Sequence, residues 1–369
     1  MATVILGRKT VRVLVAWAGD TSPNLGVRAL GRGSVDLLRR VWPDAEFTLI
    51  DFGNRPQSIP WGRPRSLVKE RVLGRAGMMD WLSQFDLLWD TRSGDSFADI
   101  YGAERHAKMS LVHEFASQTG MTTALAPQTI GPFTSRQGRL LARRNLRRSS
   151  LVFARDPISA AASARLGRPV DVSATDLVFG IDQPATTGEL SDVLLNVSGL
   201  LWRGSDHVDS ERYRELIRSL IPALIAEGRR VTLLPHVLDS HDPDNDVPVS
   251  RELEKEFDGL IDVRVPIDLE DARSVIAGSE LVIGARMHAC LNALSTGTPA
   301  VAMAYSRKFR PLMSELGWEH VVPLDDRDLG LHAVMAQVRA PGLAQRAVDA
   351  RATGRSLLGS VAQRLEQLA

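Results

Sequence analysis

Short β-branched or apolar runs alternate with amphipathic stretches along nearly all of this 369-residue chain. No other feature constrains its fold as much. A strand that feeds a helix and then another strand closes as a right-handed crossover, so the pattern predicts parallel sheets covered by helices. In the first half, strands are expected at 11–16, 46–52, 85–90, 122–127 and 151–155. Helices are expected there at 26–41, 74–84, 108–120, 136–149 and 158–166. In the second half, strands fall at 192–197, 231–235, 260–265, 281–283 and 300–304, with helices at 210–227, 249–257, 269–278 and 287–295. The polar, aperiodic stretch 182–189, with Pro184, Thr186, Thr187 and Gly188, reads as a linker. The expected architecture is two doubly wound, Rossmann-like α/β domains, 10–183 and 190–340, facing across a cleft. A helical tail, 341–369, is expected to pack back over it. Strand carboxyl ends and helix N-termini would line such a crevice, where this class of fold holds ligands.

Composition removes several function classes. The single cysteine, Cys290, excludes an intramolecular disulfide and a cysteine-based zinc cluster, and it fits a reducing cytoplasm. A net charge of +1 gives no reason to expect nucleic acid as a partner. Local charge is uneven: Arg139, Arg143, Arg144, Arg147 and Arg148 recur near helical spacing. That stripe reads either as a solvated helix face or as a peripheral contact with an anionic membrane or polyanion. The apolar run 11–17 is broken by Arg12 and too short for a signal peptide, and no stretch approaches the roughly 20 apolar residues of a span.

Candidate chemistry sits after the expected strands. Asp20, after the first strand, reads as a helix cap or a substrate contact. Asp51 ends the second strand, a partial match to a dinucleotide site without its glycine fingerprint. The loop Gly94-Asp95-Ser96 presents acceptors suited to sugar hydroxyls, or caps a helix. Gln128 precedes a rigid Ile130-Gly131-Pro132 turn. Arg155 ends a strand, where a guanidinium can fork onto a carboxylate or phosphate, or pair with Asp156. His236, with His241, Asp242, Asn245 and Asp246, forms a polar cluster, but its spacing is not that of a metal site, and none is expected. The sharpest group is Arg286-Met287-His288 at an expected helix start, with Lys308 after the next strand. A helix N-terminus and two cations favour an anion there, and a histidine so placed can carry a proton near neutral pH.

Gln128-Thr129-Ile130-Gly131-Pro132-Phe133, Arg155-Asp156 with Ser159, Leu234-Pro235-His236 with Asn245-Asp246, and Arg286-Met287-His288 with Tyr305 and Lys308 occur in this order. In these motifs the chain resembles the polysaccharide pyruvyl transferases, over roughly residues 19–317. The resemblance implies a glycosyltransferase-B-like fold and transfer of a pyruvyl group from phosphoenolpyruvate to a glycan, glycolipid or lipid-linked sugar, usually as a ketal. No further cofactor is implied. On that reading Arg286, Lys308, Arg155 and His236 contact the donor, and His288 is the general acid. Asp20 or Asp95 serves as base, and Ser96 and Gln128 meet the acceptor. The sequence departs from the family pattern at Ala18-Gly19-Asp20 and at Arg92-Ser93, both on the acceptor side.

Two other functions share the architecture. A nucleotide-sugar-dependent glycosyltransferase would need a carboxylate for the ribose, and none is evident in the second half. A silent carbohydrate- or anion-binding homologue would have no need of Arg286, His288 and Lys308 together. The expected protein is a cytoplasmic enzyme, at the inner face of the membrane if its acceptor is lipid-linked. An oligomer is compatible with the sequence.

Overall fold

The computed structural model describes residues 10–185, 190–204, 208–238, 244–325 and 330–368. It divides into two units, the first made of the described residues up to Ser22, Leu30–Ile181 and those from Arg355 onward. The second contains Pro23–Ala29 and Asp182–Gly354. Two helices are therefore divided by this boundary: Leu25–Val41 gives its first residues to the second unit, and Leu343–Glu366 gives its last to the first.

The first unit holds strands β1 (Arg12–Ala16), β2 (Glu46–Ile50), β3 (Leu87–Asp90), β4 (Thr122–Gln128), β5 (Leu151–Ala154) and β6 (Val172–Ser173). They form one parallel sheet in the order β2-β1-β3-β4-β5-β6. The second unit holds β7 (Ser191–Asn196), β8 (Val231–Leu233), β9 (Asp262–Val263), β10 (Ser279–Gly284), β11 (Ala300–Ala304) and β12 (Val321–Pro323). Its parallel sheet runs β12-β11-β10-β7-β8-β9. Every residue of β3, β5 and β11 is buried, as parallel strands covered by helices on both faces require.

The edge strands β6 and β12, two and three residues long, are absent from the sequence reading. The expected helix at 74–84 is also corrected. Gly74 (φ 63°) and Gly77 (φ 68°) take left-handed conformations that stop and restart the chain. A helix Pro64–Leu73, with proline at its first turn, precedes them and a short one, Met78–Leu82, follows. His241, Asp242 and the linker residues Thr186, Thr187 and Gly188 lie outside the described residues. Among the described residues no helix is long and apolar enough to cross a membrane.

The first unit fixes its loops with buried or partly buried carboxylates. Asp90 closes β3 in full burial, where Arg92 Nε donates to its Oδ2 at 2.8 Å and His113 Nδ1 lies 2.8 Å from the same oxygen. Burial alone would raise the Asp90 pKa, but Arg92 and His113 outweigh it and hold the carboxyl below its ordinary value. Asp99 works similarly nearer the surface. Its oxygens accept from the backbone N–H groups of Thr134 and Ser135, at 2.8 Å each, and from both hydroxyls. Partial burial pulls its pKa up, yet these four donors bring it down to about 2.

A carboxyl depressed in the folded state contributes stability above its unfolded value of about 3.9 and loses it as pH falls through the folded value. Asp99→Asn is therefore expected to lower the urea midpoint at pH 7. It should also flatten the loss of stability between about pH 4 and pH 2. Urea titrations at several pH values check this, and an unchanged acid limb would assign that loss to other groups.

Candidate functional site

The strand order of the second unit, read from its far edge, is 3-2-1-4-5-6, so the chain reverses direction between β7 and β10. The carboxyl ends flanking such a reversal are where doubly wound sheets take ligands. Here those ends carry Asn196, the last residue of β7, and Arg286, two residues past β10.

Asp246 joins them. It is wholly buried, and its Oδ1 accepts from Gly199 N at 2.8 Å and from Arg286 Nη2 at 2.6 Å. Its Oδ2 accepts from the N–H groups of His236 (3.1 Å) and Val237 (3.0 Å) and from Asn196 Nδ2 (3.3 Å). One carboxylate thus ties together the loops after β7, β8 and β10. Gly199 is required because its backbone presses against the Asn245 carbonyl, where a Cβ would collide.

Arg286 was expected as a donor-binding anion anchor. Its side chain is nearly buried, forked onto Asp246 and paired through Nη1 with Asp244 at 2.7 Å. Burial opposes its charge, but Asp246 and Asp244 overcome that and raise its pKa further above the ordinary arginine value. Its backbone N–H donates to Asn196 Oδ1 at 3.0 Å, which fixes the entry of the helix Met287–Thr296. That helix begins with no side-chain cap, so its opening N–H groups keep their dipole for another acceptor.

His288 sits in the first turn, partly exposed. Gly26 lies against its ring: a Cβ there would come within 2.7 Å of Nδ1 and 2.8 Å of Cγ. The segment bearing Gly26 is held by Leu25 N–H donating to the His236 carbonyl at 3.0 Å. His236 itself is buried, and its Nε2 faces Asn292 Nδ2 at 3.1 Å. Desolvation first, then the neighbouring His288 and Arg286, push its pKa well below the usual histidine range, so it is a neutral ring. Asn292 also donates to the His288 carbonyl at 2.8 Å, linking the two histidines. Lys308, partly exposed, immediately precedes the helix Phe309–Glu315 just beyond β11 and makes no side-chain cap.

The remaining expected residues belong to the first unit. Arg155, expected as a donor contact, is buried, with Nη1 donating to Asp176 at 2.7 Å and Nε to Thr129 Oγ1 at 3.0 Å. It does not pair with Asp156, whose carboxylate caps the next helix through Ser159. Gln128 is also fully buried, donating to the Asp90 carbonyl at 2.9 Å. Asp95 accepts from the Tyr101 hydroxyl at 2.9 Å, and Ser96, itself buried, donates to it weakly at 3.5 Å. Asp20 is exposed. Asp51 turns its Oδ1 onto the N–H groups of Gly53 and Asn54, so it does not present that oxygen to a ribose. Trp17 (φ 67°), Arg92 (φ 47°) and Ser93 (φ 51°) all adopt left-handed backbone beside the β1/β3 reversal of this sheet.

Sequence reasoning missed Asn196, Asp244 and Asn292 and gave Gly26 no role toward His288. Asn292 had a readable signal, because a carboxamide four residues past His288 lies on the same face of an otherwise apolar helix. Gly26 had none, since its partner lies 262 residues along the chain, counting from 26 to 288.

The model of the polysaccharide pyruvyl transferase family matches residues 24–307. The chain belongs to that family. The match begins at Asn24 and so includes Gly26 as well as the whole Asp246 network. No curated protein matches the sequence. Solved structures resemble it in fold. UDP-GlcNAc 2-epimerase from Neisseria meningitidis, bound to UDP-GlcNAc, aligns with a TM-score of 0.59 and 10% identity over 96% of this chain and 99% of that one. Anabaena HepE in complex with UDP-glucose aligns with a TM-score of 0.56 and 13% identity over 96% and 98%. The 2-epimerase of Methanocaldococcus jannaschii gives 0.56 and 11% over 95% and 98%. This pyruvyl transferase relative thus has two Rossmann-like domains of the glycosyltransferase-B type.

Removing one partner of a buried ion pair leaves an uncompensated charge and typically costs about 3–5 kcal/mol. Asp246→Asn is expected to fall in that range by urea denaturation, while Asp20→Asn, at an exposed position, should stay within about 0.5 kcal/mol of the parent. Equal effects of the two would remove Asp246 from its place as the hub.

Proposed function

We propose that this chain transfers the enolpyruvyl group of phosphoenolpyruvate to hydroxyls of a carbohydrate, forming a pyruvate ketal and releasing phosphate. The observation that carries the reading is His288 in the uncapped first turn of the helix Met287–Thr296, at the strand reversal of the second sheet. Family membership supports a transferase of this kind.

Phosphoenolpyruvate is a small polyanion, so its site needs donors and positive charge. The opening N–H groups of that helix and Lys308 are assigned to its carboxylate and phosphate. Arg286, neutralised by Asp246 and Asp244, is assigned to framing the helix start and the local field, with His236 a neutral partner behind it.

His288 donates a proton to the methylene carbon, and positive charge develops at C2. An acceptor hydroxyl forms a C–O bond there as its proton passes to a base, for which Asp20 and Asp95 are the candidates. The C2–O bond to phosphate then breaks, and a second hydroxyl closes the ketal. The base releases its proton to solvent, from which His288 is reprotonated, and the proton of the second hydroxyl leaves with phosphate. The product carbon bears a methyl group, a carboxylate and two ether oxygens.

His288→Ala is expected to lower phosphate release from phosphoenolpyruvate by about two to four orders of magnitude, the usual scale for a positioned acid, with donor affinity nearly unchanged. Gly26→Ala should act in the same direction by displacing the ring, while leaving the unfolding midpoint much less affected than Asp246→Asn does. Single-turnover phosphate release and calorimetry with phosphoenolpyruvate, with UDP-glucose as the comparison ligand, measure both. Full turnover in His288→Ala, or tighter binding of UDP-glucose than of phosphoenolpyruvate, would defeat the proposal.

A further inference from the structure

The carboxyl edge of the first sheet carries a cluster that the donor chemistry leaves unused. Trp17 follows β1 and Phe52 follows β2, with ring centres 5.4 Å apart. The Arg105 guanidinium carbon lies 4.5 Å from the centre of the Phe52 ring and 5.9 Å from that of Tyr101. Lys108 Nζ lies 5.6 Å from the same Phe52 ring. Arg55 is three residues past Phe52 and acts electrostatically on Lys108. Two cations therefore sit beside one ring, and a third acts on one of them.

Little offsets them. Asp95 reaches Arg105 and Glu104 reaches Lys108, but Asp95 also accepts the Tyr101 hydroxyl. Asp51, next to Phe52, holds the turn at Gly53 and Asn54. Arg105 Nε is buried and makes no hydrogen bond. Burial lowers the pKa of Arg105; for Lys108 burial acts first, followed by repulsion from Arg55. Like charges held together in partial burial repel one another, and an incoming anion removes that penalty. Aromatic faces beside them suit the apolar face of a sugar ring. Position agrees with chemistry, because β1 and β3 flank the strand reversal of this sheet.

We propose that Arg105, Lys108 and Arg55 form an anion subsite that selects an acceptor carrying a phosphate or carboxylate, its sugar lying against Phe52 and Tyr101. This deepens the reading above and rests on the first unit taking the acceptor. Arg105 and Lys108 are specificity residues with no part in the proton transfers.

The test is calorimetry on the full chain with glucose, glucose 1-phosphate, glucuronate and inorganic pyrophosphate, each with and without saturating phosphoenolpyruvate. At least one anionic sugar is expected to bind about ten-fold or more tighter than glucose, as charge-assisted contacts allow. The double substitution Arg105→Gln with Lys108→Gln should erase that preference, while phosphoenolpyruvate binding by the same variant shows that it is folded. A preference for glucose 1-phosphate together with binding of pyrophosphate names phosphate as the group. A preference for glucuronate alone names carboxylate. Equal binding of glucose and the anionic sugars, no binding of any anionic probe, an unchanged preference in the double variant, or displacement by phosphoenolpyruvate would each overturn the proposal. Phosphate release from phosphoenolpyruvate is read separately, so failure of the donor chemistry is distinguishable from failure of this subsite.

Discussion

The Asp246 carboxylate is the constraint on which the second unit depends. Loops after three different strands converge on it, through Gly199, His236, Val237 and Arg286. A buried carboxylate with one partner would be a liability, since its desolvation exceeds a single ion pair. Here backbone N–H groups, a carboxamide and a guanidinium satisfy both oxygens, so the charge becomes a fixed reference point. The position of the helix Met287–Thr296, and hence of His288, follows from it through Arg286 and Asn196.

The first unit uses the same device at a different place. Asp90 with Arg92 and His113, and Asp176 with Arg155, bury charge beneath the loops that follow β3 and β5. Those pairs show that arginines at strand ends, which in a sequence resemble ligand contacts, are also tied into the framework of this fold. Arg155 and Arg286 share that fate for one reason: each has a carboxylate distant in sequence that folding brings within 3 Å. The cations left near an open edge, Arg105 and Lys108, lie within a helix and past any motif.

This division sets what the sequence reveals. Parallel sheets were legible because β3, β5 and β11 are apolar nearly throughout and lie between amphipathic segments. The turns at Gly74 and Gly77 were not, because a glycine inside a helical pattern does not announce its φ. In the site, His288 and the helix start were legible from type and position. The ion pairing of Arg286 was not. It depends on Asp244 and Asp246, about forty residues away, and no local pattern records that pairing.

The two histidines lie close together yet in different environments. His236 is sealed beneath the loops, with its Nε2 set against Asn292, so protonation would strand a charge beside Arg286. His288 occupies a partly exposed first turn with Gly26 against its ring. A larger residue at position 26 would close that space, and a charged His236 would repel a protonated His288. A neutral inner ring therefore places no charge of its own beside His288, which supports the acid role proposed for that residue.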